Sequence, residues 1–405
     1  MKVLQICHKM PFPPIDGGAQ VMHYTTKGLL ANEVDVKTLA INPTRKFIDI
    51  NTLPDDYKKS IRFESVKINT NIKLLNSFLN LFDKESYFIE RFLSKDFEKK
   101  LQSIFESEEF DIVQLEHLYL CKYIKSIRTF SKAKIVLRPQ NIEYVIWERY
   151  IKSIKNPIKK YPLNIAISRL KKFEQSVNDQ LDGIIALTKE DADIFNSFSK
   201  KIPIIIIPMG FDYEKLIGYD YEKQYMGSPI VYHLGSMDWL PNVEAIKWFF
   251  EKVFPILKKQ QIQINFSIAG RNMPPWVYQY KAKNVDILGE INKPIEFQQD
   301  KSIMIVPLWS GSGIRAKIIE GLALGKTIIS TTIGAQGIEY KNGENILIAD
   351  TPDEFAKQIT RCVASPVLCK KIGQNARKLS FSSYHYKNTA KKMIAFYDQL
   401  LGKNE

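Results

Sequence analysis

"WSGSGIRAKIIEGLALGKTIIST", residues 309–331, has the pattern of a loop, a helix and the strand that follows in a parallel α/β unit. The apolar "SIMIVPL" (302–308) supplies the strand before it, and the β-branched end supplies the strand after it. Its tail, "EGLALGKT", imitates a P-loop, which needs a glycine five residues ahead of Gly325 and a helix behind the lysine. Glu320 stands at that first position, and Lys326-Thr327 run into a strand, so a nucleoside triphosphate loop is excluded. The front half, "GSGIRAK", is the better anion site. Ser312 is placed to cap a helix from Ile314 to Leu324, and the free amides at such a start attract anions. Along that helix Gly313, Lys317 and Glu320 share one face, while Ile314, Ile318 and Leu322 form the apolar stripe. Arg315 points close to the stripe, where a diphosphate would meet its need for a bidentate partner.

The same alternation of strand and helix extends in both directions. "KVLQIC" (2–7), "VDVKTLAI" (34–41), "DIVQL" (111–115), "KIVLR" (134–138), "GIIAL" (183–187) and "IPIIII" (202–207) are expected as buried strands of a first domain. "VYHLG" (231–235), "QINFSIAG" (263–270), "VDIL" (285–288), 302–308, "KTIIST" (326–331) and "NILIA" (345–349) form a second series. The fold class is α/β with two Rossmann-like domains, spanning 1–208 and 209–383. The polar stretch 209–229 is expected to link them. Residues 384–405 form an amphipathic helix with Tyr386, Met393, Phe396 and Tyr397 at helical spacing, expected to pack back on the N-terminal domain.

Bulk properties agree. A chain of 405 residues is too long for one ordinary core, and 45% hydrophobic with 25% charged residues is a globular composition. Cys7, Cys121, Cys362 and Cys369 show neither disulfide nor metal spacing, which fits a reducing, cytoplasmic setting. The N-terminal apolar run is too short for a signal peptide, and no run reaches the ~20 residues of a spanning helix. The net charge of +14 calls for an anionic partner wherever it clusters.

"GSGIRAKIIEGLALGKTIISTTIGAQGI" resembles the donor-site signature of the GT-B glycosyltransferases, in particular the retaining family 4 (glycosyl transferases group 1). "PFPPIDGGAQ", "IPMGFD" and "LGSMDWLPNVEAIKWF" agree in order and position, so the resemblance covers nearly the whole chain. It implies two domains facing across a cleft, with the acceptor on the first and a nucleoside diphosphate sugar (UDP or GDP) on the second. Transfer would proceed with retention to a glycan or lipid-linked glycan, in bacterial surface polysaccharide synthesis. Glu320 matches the second glutamate of the family's E-x7-E motif, which hydrogen-bonds the ribose. The first falls on Ser312, and the usual Arg and Lys after the "LG" of Gly235 are replaced by Ser236-Met237-Asp238. Arg315 and Lys317 are therefore expected to supply the charge that stabilises the departing diphosphate. The backbone of Gly313-Ile314 and of Gly235 would complete that site, and Gly289, Glu290 and Ile291 would read the base.

In the first domain, Gly17 and Gly18 allow close backbone approach to donor phosphates at a helix expected from Ala19 to Ala31. Asp16 is either a plain turn residue or a group that orients an acceptor hydroxyl. Gln140 stands where many relatives carry a histidine. Gln140, Asn141 and Glu143 are expected acceptor contacts, and His117 is the candidate to substitute for the missing imidazole. The only D-x-D, Asp191 and Asp193, sits in an apparent helix, so no metal and no other cofactor is expected. Arg149, Lys152, Lys155, Lys159, Lys160, Arg169, Lys171 and Lys172 make 149–172 basic, either as a solvated face or as a peripheral contact with an anionic membrane. The apolar 71–93 segment either covers the acceptor site or completes the core. Two other readings exist: a GT-B-fold nucleotide-sugar epimerase, for which the chain offers few acid/base groups, and a non-catalytic polyanion or nucleic-acid binder. No nucleic-acid motif supports the latter.

Overall fold

A computed structural model of the chain describes residues 1–71, 86–154, 156–199, 201–311 and 313–403. "KVLQIC" forms β1 (Lys2–Cys7), buried from its second residue onward. Strands buried on both faces need parallel neighbours and helices on either side. β1 accordingly joins β2 (Asp35–Pro43), β3 (Glu64–Ile68), β4 (Ile112–Glu116), β5 (Lys134–Leu137), β6 (Gly183–Ala186) and β7 (Ile204–Ile206). The sheet is parallel throughout, in the order β3-β2-β1-β4-β5-β6-β7. A second parallel sheet contains β8 (Ile230–Leu234), β9 (Asn265–Ala269), β10 (Val285–Gly289), β11 (Ile303–Val306), β12 (Thr327–Ser330) and β13 (Leu347–Ile348). Its order is β10-β9-β8-β11-β12-β13. The expected α/β class with two parallel sheets is what forms.

The chain divides into two units, Met1–Gly210 with Tyr386–Glu405, and Phe211–His385. The helix Tyr386–Leu400 buries Met393, Phe396 and Tyr397 in the first unit, against Val3, Leu29 and Val136. Its fit is tight: a Cβ on Gly28 would lie 2.7 Å from the Tyr386 carbonyl oxygen and 2.8 Å from Ala390 Cβ. All four cysteines are buried and free.

Several expectations are corrected. β3 was not anticipated, because "ESVKI" at the sheet edge is largely half-exposed and lacks the apolar run of a central strand. The stretch 209–229 is no free linker: Gln224 is buried and bonds the Leu324 carbonyl, and Tyr225 Oη donates to Gly325 O at 2.8 Å. The first long helix runs from Gly17 to Leu30, so the glycine pair lies inside its first turn instead of in a loop before it. The helix after β11 spans Ala316–Ala323 and its N-cap is Arg315, not Ser312, which lies outside the described residues. Its buried stripe is Ile318, Ile319 and Leu322, with Ile314 left half-buried ahead of it. Most of the 71–93 segment and Lys155 also fall outside the described residues.

Lys326, the lysine of the P-loop lookalike, is a structural group. Its ammonium is buried and donates to Lys301 O at 2.7 Å, Tyr219 Oη at 2.8 Å and the Gln298 carbonyl, and burial holds its pKa well below the usual lysine range.

Candidate functional site

Each sheet reverses its strand order once, between β1 and β4 in the first and between β8 and β11 in the second. Connections leave such a pair in opposite directions, so a crevice opens outside the carboxyl ends of the strands. The residues just after these four strands are where ligand contacts are expected.

In the second unit, β8 is followed by Gly235 and β11 by the 307–313 loop. Asn242, in the first turn of the helix Leu240–Trp248, is buried and fixes this region. Its Nδ2 donates to Ser236 O at 2.7 Å, and its Oδ1 accepts from Lys317 Nζ at 2.7 Å. Lys317 thereby carries its ammonium to the end of β8, where a Cβ on Gly235 would lie only 2.6 Å from Nζ. Glycine is needed there to admit the lysine. Gly270 is constrained by backbone: its Cβ would overlap the Gly235 carbonyl oxygen. Gly270→Ala should therefore shift the end of β8 and destabilise this unit by about 2 kcal/mol, read by thermal unfolding.

The loop after β11 turns through Gly311 (φ +103°) and Gly313 (φ +75°), conformations that side chains resist. Arg315 is buried; its Nη1 donates to Gly313 O at 2.6 Å, and its guanidinium stacks on Trp239 at 5.4 Å. Burial, followed by the charge of Arg315, pulls the Lys317 pKa down to about 7. Lys317 is held by a neutral amide, so no carboxylate offsets that shift. His233, on β8, is fully buried, donates through Nδ1 to Ile305 O at 3.1 Å, and stays neutral through burial and the nearby Lys317. One turn along, Glu320 accepts from Gln298 Nε2 at 2.7 Å; burial raises its pKa against that hydrogen bond. Gly289 (φ +67°) closes β10 and accepts from Gly270 N at 2.7 Å, with Glu290 exposed and Ile291 half-buried beyond it. These three lie two strands out from the crevice.

In the first unit, the residues after β1 and β4 are His8 and His117, whose rings lie 4.2 Å apart. His117 is buried; its Nε2 is 3.3 Å from Glu143 Oε1, and Glu143 Oε2 accepts from Tyr119 Oη at 2.6 Å. Burial pushes the Glu143 carboxyl up, but the His117 charge and the two hydrogen bonds prevail and hold it below its usual range. Glu174 orients the helix that carries Glu143, accepting from the Glu143 and Tyr144 amides at 3.1 Å each. Glu143 is thus committed to a buried polar cluster. His8 Nδ1 lies 2.9 Å from the Glu116 carbonyl, which can only accept, so Nδ1 carries the proton and Nε2 presents a lone pair. Burial, then the charges of His117 and Lys9, keep this imidazole neutral. His8 belongs to none of the motifs in the sequence; its one signal there is its place directly behind the first strand.

Asp16 is the N-cap of Gly17–Leu30, accepting from Ala19 N at 2.9 Å and pairing with Lys9 at 2.6 Å. Burial raises its pKa, and Lys9 more than reverses that. Gln140 donates to Gly18 O at 3.3 Å, and Asn141 follows half-buried. Asp191 and Asp193 sit in the helix Lys189–Phe198 behind the Thr188 cap, Asp193 pairing with Lys189 at 2.6 Å. Among the described residues no cluster of three metal-ligating side chains occurs.

Residues 228–365, which contain the whole Lys317 cluster, match the family model described as glycosyl transferases group 1. The second unit is a glycosyl transferases group 1 domain. The glycosyltransferase is 23% identical over 297 residues to a 44.6 kDa protein in the cps region of Klebsiella pneumoniae, covering 71% of this chain and 74% of that protein. Its fold, GT-B, is that of sucrose-phosphate synthase from Thermosynechococcus elongatus, at TM-score 0.68, 13% identity and complete coverage of both chains. Anabaena Alr3699/HepE, solved in complex with UDP, superposes at TM-score 0.64 with 11% identity, over 98% of this chain and 100% of that one.

Proposed function

We propose that this glycosyltransferase moves a sugar from a nucleoside diphosphate donor, held by its second unit, to a glycan or lipid-linked glycan that the first unit receives. The observation that carries this reading is the Lys317 ammonium, fixed by Asn242 beside Gly235 at the strand-order reversal. The basic pair that relatives carry after β8 is absent here, and Lys317 brings a cation to that position from the neighbouring helix. Arg315 adds a second, and Glu320 takes the ribose hydroxyls. Transfer proceeds with retention: the acceptor hydroxyl attacks on the face the diphosphate leaves, and a leaving-group oxygen takes its proton. His8 and His117 line the acceptor side, and Glu143 holds His117 in place. The two cations and the backbone around Gly313 stabilise the diphosphate charge without a metal. The UDP seated in the Anabaena protein and the cps location of the Klebsiella relative favour a nucleotide sugar and a polysaccharide product. No helix among the described residues is long and apolar enough to cross a membrane. Arg149, Lys172 and Tyr161 are each exposed, a composition suited to docking at the inner membrane face.

Thermal unfolding with UDP, GDP, ADP or CMP, each with EDTA, tests the donor half. A diphosphate at ~100 times its Kd should stabilise the second unit by about 2.7 kcal/mol, and Glu320→Ala should lose most of that shift. No shift with any nucleotide would reject a nucleoside diphosphate donor.

A further inference from the structure

Gln298 is fully buried at the end of the helix Pro294–Gln298, and every polar atom of its amide is engaged. The Pro294 carbonyl, 3.1 Å from one amide atom, can only accept, so that atom is Nε2 and the orientation of the amide is fixed. The second Nε2 hydrogen goes to Glu320 Oε1 at 2.7 Å, and Oε1 of the amide accepts from Tyr232 Oη at 2.7 Å. Tyr232 lies on β8 and is itself fully buried. Lys326 clamps the same helix end through the Gln298 and Lys301 carbonyls. A long carboxylate side chain in a half-buried setting is thus held by an amide that has no freedom to turn.

We infer that Gln298 is the positioning residue for Glu320: it occupies Oε1 with a donor that cannot reverse, and so directs Oε2 at the ribose of the donor nucleotide. This rests on the proposed donor role of Glu320. The amide also favours the ionised carboxyl that burial opposes, so Glu320 is kept as an acceptor of hydroxyl hydrogens. Glutamate or an apolar residue at 298 would fail differently. Leucine leaves Glu320 free to rotate. Glutamate puts a second carboxyl against it, and the two would share a proton. In neither case does the Lys317 end of the site lose a contact.

The test measures Kd for a ribonucleoside diphosphate and its 2′-deoxy counterpart (UDP and dUDP, or the GDP or ADP pair if the wild type binds those instead). Wild type should prefer the ribonucleotide by about 10-fold, the scale of one hydrogen bond to a charged group. Gln298→Leu should weaken the ribonucleotide by about 10-fold and the deoxynucleotide, which keeps only the 3′-hydroxyl, by a smaller factor. Tyr232→Phe removes only the donor to the amide and should move the preference the same way by a smaller factor, with the ring retained if Gln298→Leu fails to fold. Wild-type preference in both variants, with Glu320→Ala abolishing it, would overturn the positioning role alone. An equal loss for both nucleotides would reduce Gln298 to a packing residue and also overturn it. A full preference retained in Glu320→Ala would overturn the ribose role of Glu320 and this inference with it.

Discussion

Replacing both Arg315 and Lys317 by alanine should abolish turnover while the circular dichroism of the protein stays that of the wild type. Lys317→Ala alone should cost about 10²-fold or more in kcat/KM, the usual scale for one preorganised contact to developing charge. Affinity for the nucleoside diphosphate carries a sharper signature. Burial and Arg315 hold the free Lys317 near a pKa of about 7. A bound diphosphate favours the ammonium, so binding draws a proton onto any enzyme that lacks one. The sign follows: affinity is greatest below pH 7 and weakens as pH rises through it, by about tenfold per unit until the liganded pKa is reached.

The ligand phosphate and the neighbouring basic groups Arg315 and His233 do not share that window. A phosphate completes its ionisation near about pH 6, so above pH 7 the ligand charge is constant. Arg315 stays charged, and the nearby His233 is held neutral by burial. Titrations of Kd from pH 6 to pH 9 should therefore slope in wild type. They should be flat in Lys317→Arg, which cannot lose its proton, and flat and weak in Lys317→Ala. A slope that persists in Lys317→Arg would assign the proton elsewhere and remove Lys317 from the diphosphate.

The sheets are legible in the sequence because parallel strands covered on both faces must be continuous apolar runs, and "KVLQIC" or "SIMIVPL" can be little else. The edge strand β3 breaks that rule and so gives no signal. The helix Ala316–Ala323 is legible as a helix but not at its start: glycines at 311 and 313 keep the chain in a left-handed turn, and Arg315 becomes the cap. Glu320 and Lys317 are visible as a face of that helix. What they touch is not. Asn242 lies 75 residues from Lys317 in sequence, and Gln298 lies 22 from Glu320. No local spacing encodes such partners. Glu143 is legible by its position behind β5, but its contacts with His117 and Tyr119 are not. Lys326 looks chemical by motif, yet its three acceptors make it a clamp.

Arg138→Met should destabilise the first unit by about 3–5 kcal/mol, far more than any surface substitution in the chain. Arg138 and Glu116 are both essentially inaccessible, with Nη1 and Oε2 3.8 Å apart. Glu116 also accepts from Gln5 Nε2 at 2.7 Å and from Gln114, while Arg138 donates to Thr25 Oγ1 at 2.7 Å. Tyr397 of the last helix donates into the same network through Gln114 Oε1. β1, β4, β5, the helix Gly17–Leu30 and the C-terminal helix therefore meet in one polar cluster inside an apolar core. Removing the arginine leaves a buried carboxylate without its counter-charge, which costs more than the pair ever contributed. Arg138→Met with Glu116→Gln removes both charges, and the double variant should recover most of the loss. The double-mutant cycle should then show a coupling of about 2 kcal/mol or more, within the range for neighbouring residues in one network. Tyr397→Phe should cost only about 1 kcal/mol, because Gln114 keeps its bond to Glu116. Urea unfolding followed by amide hydrogen exchange in β1, β4 and β5 reads these changes in the first unit alone. Additive losses, with no recovery in the double variant, would mean that Glu116 and Arg138 act separately and that the 3.8 Å approach carries no energetic link.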